Sequence, residues 1–162
     1  VNKEILNYFK DDNLEKYRDI LVFRLFCFSG ILPNEMASLT LDSFIFKDNM
    51  MFLKIDGNSE SKNREIPLPK EKLIRYYNKY IELRNPNAKS FFYNKDNKQI
   101  EVNLLSEIVK RLLEFCNVSA RDKTPKMLRK TYALFLNNEK GKDGFTQPKQ
   151  NIKYLLGLAN TT

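Results

Sequence analysis

Three basic side chains lie close together in the last third of the chain, at Lys126, Arg129 and Lys130. Thr124 and Pro125 precede them and are typical of a helix N-cap and first helical position, so the sequence predicts a helix here. Residues three apart share one face of a helix, which brings these cations together. Because neighbouring cations repel one another unless an anion lies between them, the pattern indicates a phosphate site. The alternative is an ordinary amphipathic helix with a solvated arginine.

Lys62 and Arg64 form a second basic pair, beside a loop rich in Ser and Asn. The chain has 28 Lys and Arg against 20 Asp and Glu, a net charge of +8. The excess lies in residues 54–89, with nine basic and five acidic residues, and in residues 123–153, with eight and two. If the fold brings these segments together, they suit a polyanion, because each phosphate contact releases counterions. The alternative is a lysine-rich chain whose charges are merely solvated.

The composition narrows the classes of function. The chain has no histidine, which removes the commonest general base and zinc ligand. Cys27 and Cys116 both lie in apolar runs, so we expect buried, reduced thiols, with no metal and no cofactor. No apolar run approaches the roughly 18–20 residues that span a bilayer, so no membrane partner is expected. The N-terminal residues lack the apolar core of a signal peptide, and we expect a fragment of a cytoplasmic protein.

The elements that would position the cations are mostly helical. Apolar spacing predicts helices over 13–29, 34–40, 69–84, 104–115 and 124–138, with a last helix from Pro148. Gly30 ends the first of them. Short apolar runs at 44–46, 51–55 and 64–68 predict three antiparallel strands, and residues 91–93 are expected to pair with 98–101. The predicted fold class is α+β and mostly α-helical, a helical core with a small three-stranded antiparallel sheet, in a single domain over residues 1–162.

The order of these elements, together with four short strings, resembles the catalytic domain of the tyrosine recombinases, the phage integrase family. The strings lie in the family's order over about 130 residues. They are Ser29–Met36, Arg64–Leu68, Thr124–Ala133, and Leu155–Leu158 with Thr161 and Thr162. They are similar to the family's Thr-Gly-Leu-Arg-x-x-Glu-Leu segment, the end of its hairpin (usually Lys-x-Arg followed by a hydrophobic residue and Pro-Leu), its Pro-His-x-Leu-Arg-His-Thr-Phe-Ala box, and its Leu-Leu-Gly-His string followed by Thr-Thr.

The resemblance implies site-specific recombination or integration of DNA, as carried out by mobile elements. A tyrosine oxygen attacks a DNA phosphodiester and forms a phosphotyrosyl intermediate, while cations stabilise the developing charge and a hairpin lysine protonates the leaving oxygen. The implied catalytic residues are Arg129, Lys126, Lys130 and Lys62. The implied contacts to duplex DNA are Lys62, Arg64, Lys126, Arg129 and Lys130. Glu35 is expected to support the arginine cluster by pairing with Arg129 or another buried cation.

The chain departs from the family pattern at several catalytic positions. The first catalytic arginine falls on Leu32, which cannot bind a phosphate. The hairpin lysine falls near Ser59, with Lys62 as the nearest basic substitute, and the late His or Trp falls on Leu158. The nucleophilic tyrosine is expected beyond Thr162, together with a C-terminal segment through which copies assemble on DNA. A DNA-clamping domain is expected to precede the chain.

These departures leave three functions open. The first is a divergent recombinase domain that is active in the full-length protein. The second is a degenerate relative that binds DNA without cutting it, which Leu32 and Leu158 favour. The third is an unrelated helical protein-interaction domain, for which the charge pattern and the strings would be coincidence. Whether the protein is an enzyme is therefore left undecided by the sequence.

Overall fold

The computed structural model describes residues 4–57, 63–118 and 123–138. Over these ranges the chain forms five α-helices and three β-strands. The helices are Leu14–Ser29 (α1), Pro33–Ala37 (α2), Lys70–Leu83 (α3), Val102–Phe115 (α4) and Pro125–Asn138 (α5). The strands are Phe44–Lys47 (β1), Met50–Ile55 (β2) and Arg64–Leu68 (β3), and short 3-10 helices lie at Glu4–Tyr8 and Leu41–Ser43.

Helix α1 lies at the centre of the core because it is apolar on nearly every face. Asn13 caps its N-terminus by accepting a hydrogen bond from the amide of Lys16. Helices α3, α4 and α5 all pack against α1, and residues 20–26 are buried without exception. Gly30 ends the helix in the left-handed conformation, with φ of 64° and ψ of 19°. The chain can therefore turn sharply into α2, because glycine adopts positive φ without steric cost.

The sheet has the order β1-β2-β3, with both neighbouring pairs antiparallel. Side chains alternate between its two faces, as the period of a strand requires. In β3 the inward side chains are Arg64, Ile66 and Leu68, and all three are buried. The register places Ile66 opposite Leu53 and Arg64 opposite Ile55. A charged side chain therefore occupies a core-facing position at the end of β3 nearest the hairpin loop.

The link between α3 and α4 is held by polar contacts rather than by a strand pair. Arg84 is buried and donates hydrogen bonds to the carbonyls of Ala88 and Ser90. The hydroxyl of Tyr80 donates to the carbonyl of Phe91, at 2.7 Å. Phe91 and its neighbour Phe92 pack edge to face in the core. The aromatic side chains of this link are therefore part of the core. Its backbone forms only isolated bridges, and no regular strand pair, within the described residues.

The predicted fold class is confirmed, with the three strands and five of the predicted helices in place. The predicted extended pairing of 91–93 with 98–101 is present and short: Tyr93 forms a bridge with Gln99, and the amide of Ile100 donates to the carbonyl of Phe92. The second helix ends at Ala37 rather than at residue 40, because Leu39 turns into the core. The helix predicted from Pro148 lies outside the described residues. That residues 1–162 form one domain stays a prediction.

Among the described helices, none is both long enough and apolar enough to cross a membrane.

Candidate nucleic-acid interface

The N-terminal half of α5 carries a charge pattern that works against helix stability. Thr124 caps the helix, its hydroxyl accepting from the amide of Met127 at 3.4 Å. The first turn has no acidic residue and instead contains Lys126, with Arg129 and Lys130 following in the next turn. The N-terminal end of a helix is partially positive and favours anionic side chains. A helix that places cations there instead is well suited to binding an external anion.

These cations line one wall of a groove between α5 and the turn that joins α1 to α2. We call it the α5 groove, and its volume is about 470 Å³. Its lining residues are Ile31, Leu32, Pro33, Pro125, Lys126, Arg129, Lys130 and Ala133. Lys126 and Lys130 are exposed, whereas Arg129 is half-buried. The lining of the groove is therefore largely apolar, with one half-buried arginine and two exposed lysines among its residues.

The side chain of Arg129 binds to the backbone of another element. Its Nη1 donates a hydrogen bond to the carbonyl oxygen of Gly30, which lies at the end of α1. Burial lowers the pKa of the Arg129 guanidinium, the charge of Glu35 opposes that effect, and the charge of Arg64 adds to it. Partial burial beside a second arginine makes this cation electrostatically unfavourable in isolation, and a phosphate in the groove would relieve both costs.

Glu35 lies behind the groove and holds three donors. Arg64 binds it in a bidentate ion pair, Nη1 to Oε2 and Nη2 to Oε1, both at 2.8 Å. The amide of Leu32 donates to Oε1, also at 2.8 Å. The Arg64 side chain is 0% exposed and that of Glu35 is 9% exposed. Burial would raise the pKa of Glu35, but the hydrogen bonds from Arg64 and Leu32 and the charge of Arg129 bring it below its ordinary value.

The structure brings together three of the predicted site residues, Lys126, Arg129 and Lys130, along one groove. It places Arg64 elsewhere. The expected DNA contact of Arg64 does not fit its position, because its guanidinium is fully buried against Glu35. The alternation of Arg64, Ile66 and Leu68 along β3 could have indicated this burial from the sequence. Glu35 does bind a buried cation, and that cation is Arg64.

Leu32 lies where the α5 groove meets a second cavity of about 330 Å³, which Glu35, Lys54 and Gly57 also line. The hairpin between β2 and β3 begins at this cavity, where the amide of Gly57 donates to the side chain of Asn63 at 2.7 Å. Lys62 lies outside the described residues, as do Ser59, Tyr154 and Leu158. Its expected place in a common cleft with Arg129 therefore stays a prediction.

Two residues beside the groove, Gly30 and Tyr132, are not among the site residues that the sequence predicts. The sequence predicts Gly30 as a helix stop and Tyr132 as an apolar position of α5. In the structure, Gly30 accepts the hydrogen bond from Arg129, and the ring of Tyr132 lies directly against it. The spacing shows only that Arg129 and Tyr132, three apart, share a helix face, and nothing in the sequence connects that face with Gly30.

The cysteines contribute no reactive group to the groove. Neither Cys27 nor Cys116 forms a disulfide. Burial raises the pKa of Cys27 to about 12, so this thiol is protonated at neutral pH. In the part of the chain that the structure describes, no three His, Cys, Asp or Glu side chains come together as a metal site.

Comparison with models of known protein families finds a match that covers most of the chain. The model of the phage integrase family matches residues 1–157 of the chain. No curated protein matches it by sequence.

Solved structures of recombinases have the same fold. XerH site-specific recombinase bound to difH substrate, in a pre-cleavage complex, is 18% identical with a TM-score of 0.81 over 98% of this chain. XerA recombinase is 15% identical with a TM-score of 0.75 over 98% of the chain. A lambda integrase dimer bound to a COC′ core site is 15% identical with a TM-score of 0.65 over 99%. The chain spans 45%, 54% and 44% of these three proteins, about half the length of each.

Proposed function

The chain belongs to the phage integrase family, and we propose on that basis that it binds duplex DNA through the α5 groove as part of a site-specific recombinase. In the full-length protein, a tyrosine oxygen attacks a DNA phosphodiester, forms a 3′-phosphotyrosyl bond and releases a 5′-hydroxyl. The solved relatives XerH and lambda integrase are bound to DNA, which supports duplex DNA as the partner.

The observation that carries this proposal is the grouping of three cations on one wall of one groove. A phosphodiester there would contact the guanidinium of Arg129, with Lys126 and Lys130 on either side. A guanidinium presents several N–H donors in one plane, which suits two oxygens of one phosphate. The apolar lining excludes water and so strengthens each of these contacts.

In the cleavage step, these same cations would stabilise the charge that develops on the non-bridging oxygens. Lys62 would act as the general acid for the leaving 5′ oxygen, because the hairpin that carries it begins at the cavity next to the groove. Glu35 and Arg64 would support the groove from behind without touching DNA. Assembly on DNA as a homo-oligomer and a cytoplasmic location belong to the same proposal.

Binding is tested by fluorescence anisotropy with a labelled duplex of about 30 base pairs at low salt. We expect Arg129→Ala to weaken binding about tenfold or more, since a charge-assisted hydrogen bond contributes about 1.5–3 kcal/mol. Lys126→Ala is expected to weaken it less. Matched controls are Lys72→Ala and Lys79→Ala, which remove exposed lysines from α3 and preserve the same net charge change. If the α3 variants weaken binding as much as the α5 variants, the α5 groove is not the binding site.

A second function, DNA binding without cleavage, is favoured by Leu32. This residue lines the groove where the resemblance expects a second arginine. The two functions are separated with a nicked suicide substrate and a longer form of the protein that extends past Thr162. A covalent protein–DNA adduct that survives denaturation supports the recombinase. If Leu32→Arg forms the adduct faster, the absence of a cation at position 32 limits the rate of cleavage. If neither the longer form nor its Leu32→Arg variant forms an adduct, the non-cleaving function is the better one.

A further inference from the structure

Gly30 occupies a constrained position between α1 and α5. Its amide donates to the carbonyl of Phe26 at 3.3 Å and closes the last turn of α1. Its φ of +64° lies in the left-handed region, where a side chain is strained. The carbonyl of the same residue accepts the hydrogen bond from Nη1 of Arg129.

The ring of Tyr132 covers the other side of the same glycine. A Cβ atom added to residue 30 would overlap this ring, with Cγ and Cε1 both at 2.9 Å and Cδ1 closer still. Tyr132 is 5% exposed and lies three residues beyond Arg129 on the same face of α5. Residue 30 thus contacts α5 in two ways. Its carbonyl accepts from Arg129, and its lack of a side chain allows the ring of Tyr132 to approach closely.

We propose that Gly30 is a positioning residue for the DNA phosphate, which sets the direction of the Arg129 guanidinium in the α5 groove while Tyr132 fixes the spacing of α1 and α5. This inference rests on the proposed function, in which Arg129 contacts that phosphate. In this role the backbone carbonyl of the α1–α2 turn, rather than a side chain, orients Arg129.

The chemistry of the anchor matters for an anion site. A carboxylate bound directly to Arg129 would fix its direction but would also offset its positive charge. A backbone carbonyl carries no net charge, so it orients the guanidinium without adding to the offset that the nearby charge of Glu35 gives. The hydrogen bonds of the Glu35 carboxylate include the bidentate pair with Arg64.

A double-mutant cycle distinguishes positioning from a general loss of structure. Gly30→Ala is expected to weaken DNA binding about tenfold when Arg129 is present, because the added Cβ overlaps the ring of Tyr132 and shifts Arg129 away from the carbonyl of residue 30. In the Arg129→Leu background, the same change is expected to alter affinity less than about twofold. Ile100→Ala, a buried residue outside the groove, serves as the control that lowers stability without changing affinity. Equal losses from Gly30→Ala in both backgrounds would overturn the inference.

The Nε–Hε resonance of Arg129 in ¹⁵N-labelled protein gives a second readout that needs no DNA. We expect this signal to shift or broaden in Gly30→Ala and to remain unchanged in Ile100→Ala. If Arg129→Leu does not affect DNA binding, the proposed function fails, and an unchanged Arg129 signal in Gly30→Ala would also reject the positioning role. Should Gly30→Ala not fold, Tyr132→Leu replaces it in the same cycle and in the same spectrum, because it keeps the glycine and removes the ring.

Discussion

Glu35 supplies the negative charge that acts on both Arg64 and Arg129 behind the groove. Its carboxylate accepts from the Arg64 guanidinium and from the amide of Leu32, and it lies close enough to Arg129 to raise that residue's pKa. Buried charges are tolerated when they are paired and fully hydrogen-bonded. Removing this one carboxylate would take away the negative charge that pairs with the buried Arg64 and that also acts on Arg129.

We therefore predict that Glu35→Gln lowers the free energy of unfolding by about 3 kcal/mol, because it leaves Arg64 buried without its partner charge. Urea denaturation followed by circular dichroism measures this loss. Glu65→Gln is the matched control in the same strand as Arg64, since Glu65 is 44% exposed and its pair with Lys47 spans 3.7 Å. The control is expected to cost less than about 0.5 kcal/mol. Similar losses for both variants would contradict the importance assigned to the buried pair.

The same pair predicts a pH dependence. The folded state lowers the pKa of Glu35 below its unfolded value of about 4.3. Its ionised form therefore contributes stability above that value, and this contribution is lost as the pH falls through the folded pKa. We expect the stability difference between the wild type and Glu35→Gln to be largest near pH 7 and to shrink below about pH 4. A difference that stays constant from pH 7 to pH 3 would argue against an ionised Glu35.

Leu32 is the residue at which charge can be added to the groove. We predict that Leu32→Arg strengthens binding of duplex DNA about tenfold at low salt, through one further charge-assisted contact to phosphate. Leu32→Gln is the neutral control for side-chain polarity and length. Anisotropy titrations of the two variants measure the effect of charge alone. If Leu32→Arg binds no more tightly than Leu32→Gln, the DNA phosphate does not enter the groove at this point.

At the scale of elements, two of the described side chains that pack α5 against the core are Leu128 and Tyr132, which are 6% and 5% exposed. Leu134 on the same helix is 62% exposed. We predict that Leu128→Ala destabilises the protein by about 2–4 kcal/mol and speeds amide hydrogen exchange first in α5. Leu134→Ala, the same change at an exposed position, is expected to cost less than about 0.5 kcal/mol. Uniform loss of protection across all helices would show that α5 does not open separately.

Local pattern predicted most of these elements, because helix caps and strand alternation are properties of neighbouring residues. Gly30 marks the end of α1 and Thr124 the start of α5, and both positions are visible without a structure. Pairings across long sequence distances were not visible. Arg64 lies 29 residues from Glu35, and a charged residue is expected at the surface until its buried partner is known. Arg129 contacts the backbone carbonyl of Gly30, 99 residues away in the sequence. Every residue has such a carbonyl, so the residue types do not predict this contact.

At the scale of the whole molecule, the net charge of +8 predicts long-range attraction to DNA, but only contacts to phosphate set the salt dependence. With Lys126, Arg129 and Lys130 each neutralising one phosphate, the plot of log K against log salt concentration should have a slope of about −3 from the groove alone. We predict that Lys130→Ala makes the measured slope about 1 less steep, whereas Lys72→Ala leaves it unchanged. An unchanged slope in Lys130→Ala would remove that residue from the phosphate contacts.

The amide of Leu32, rather than its side chain, holds Oε1 of Glu35. Any residue other than proline supplies that amide, so the ion pair with Arg64 exerts no selection on which side chain stands at position 32. Arginine and leucine are therefore interchangeable there as far as the support behind the groove is concerned. A single substitution at position 32 would add a cation to the groove and leave the ion pair of Glu35 with Arg64 unchanged, so the scaffold holds the capacity for a stronger phosphate site in its backbone rather than in its side chains.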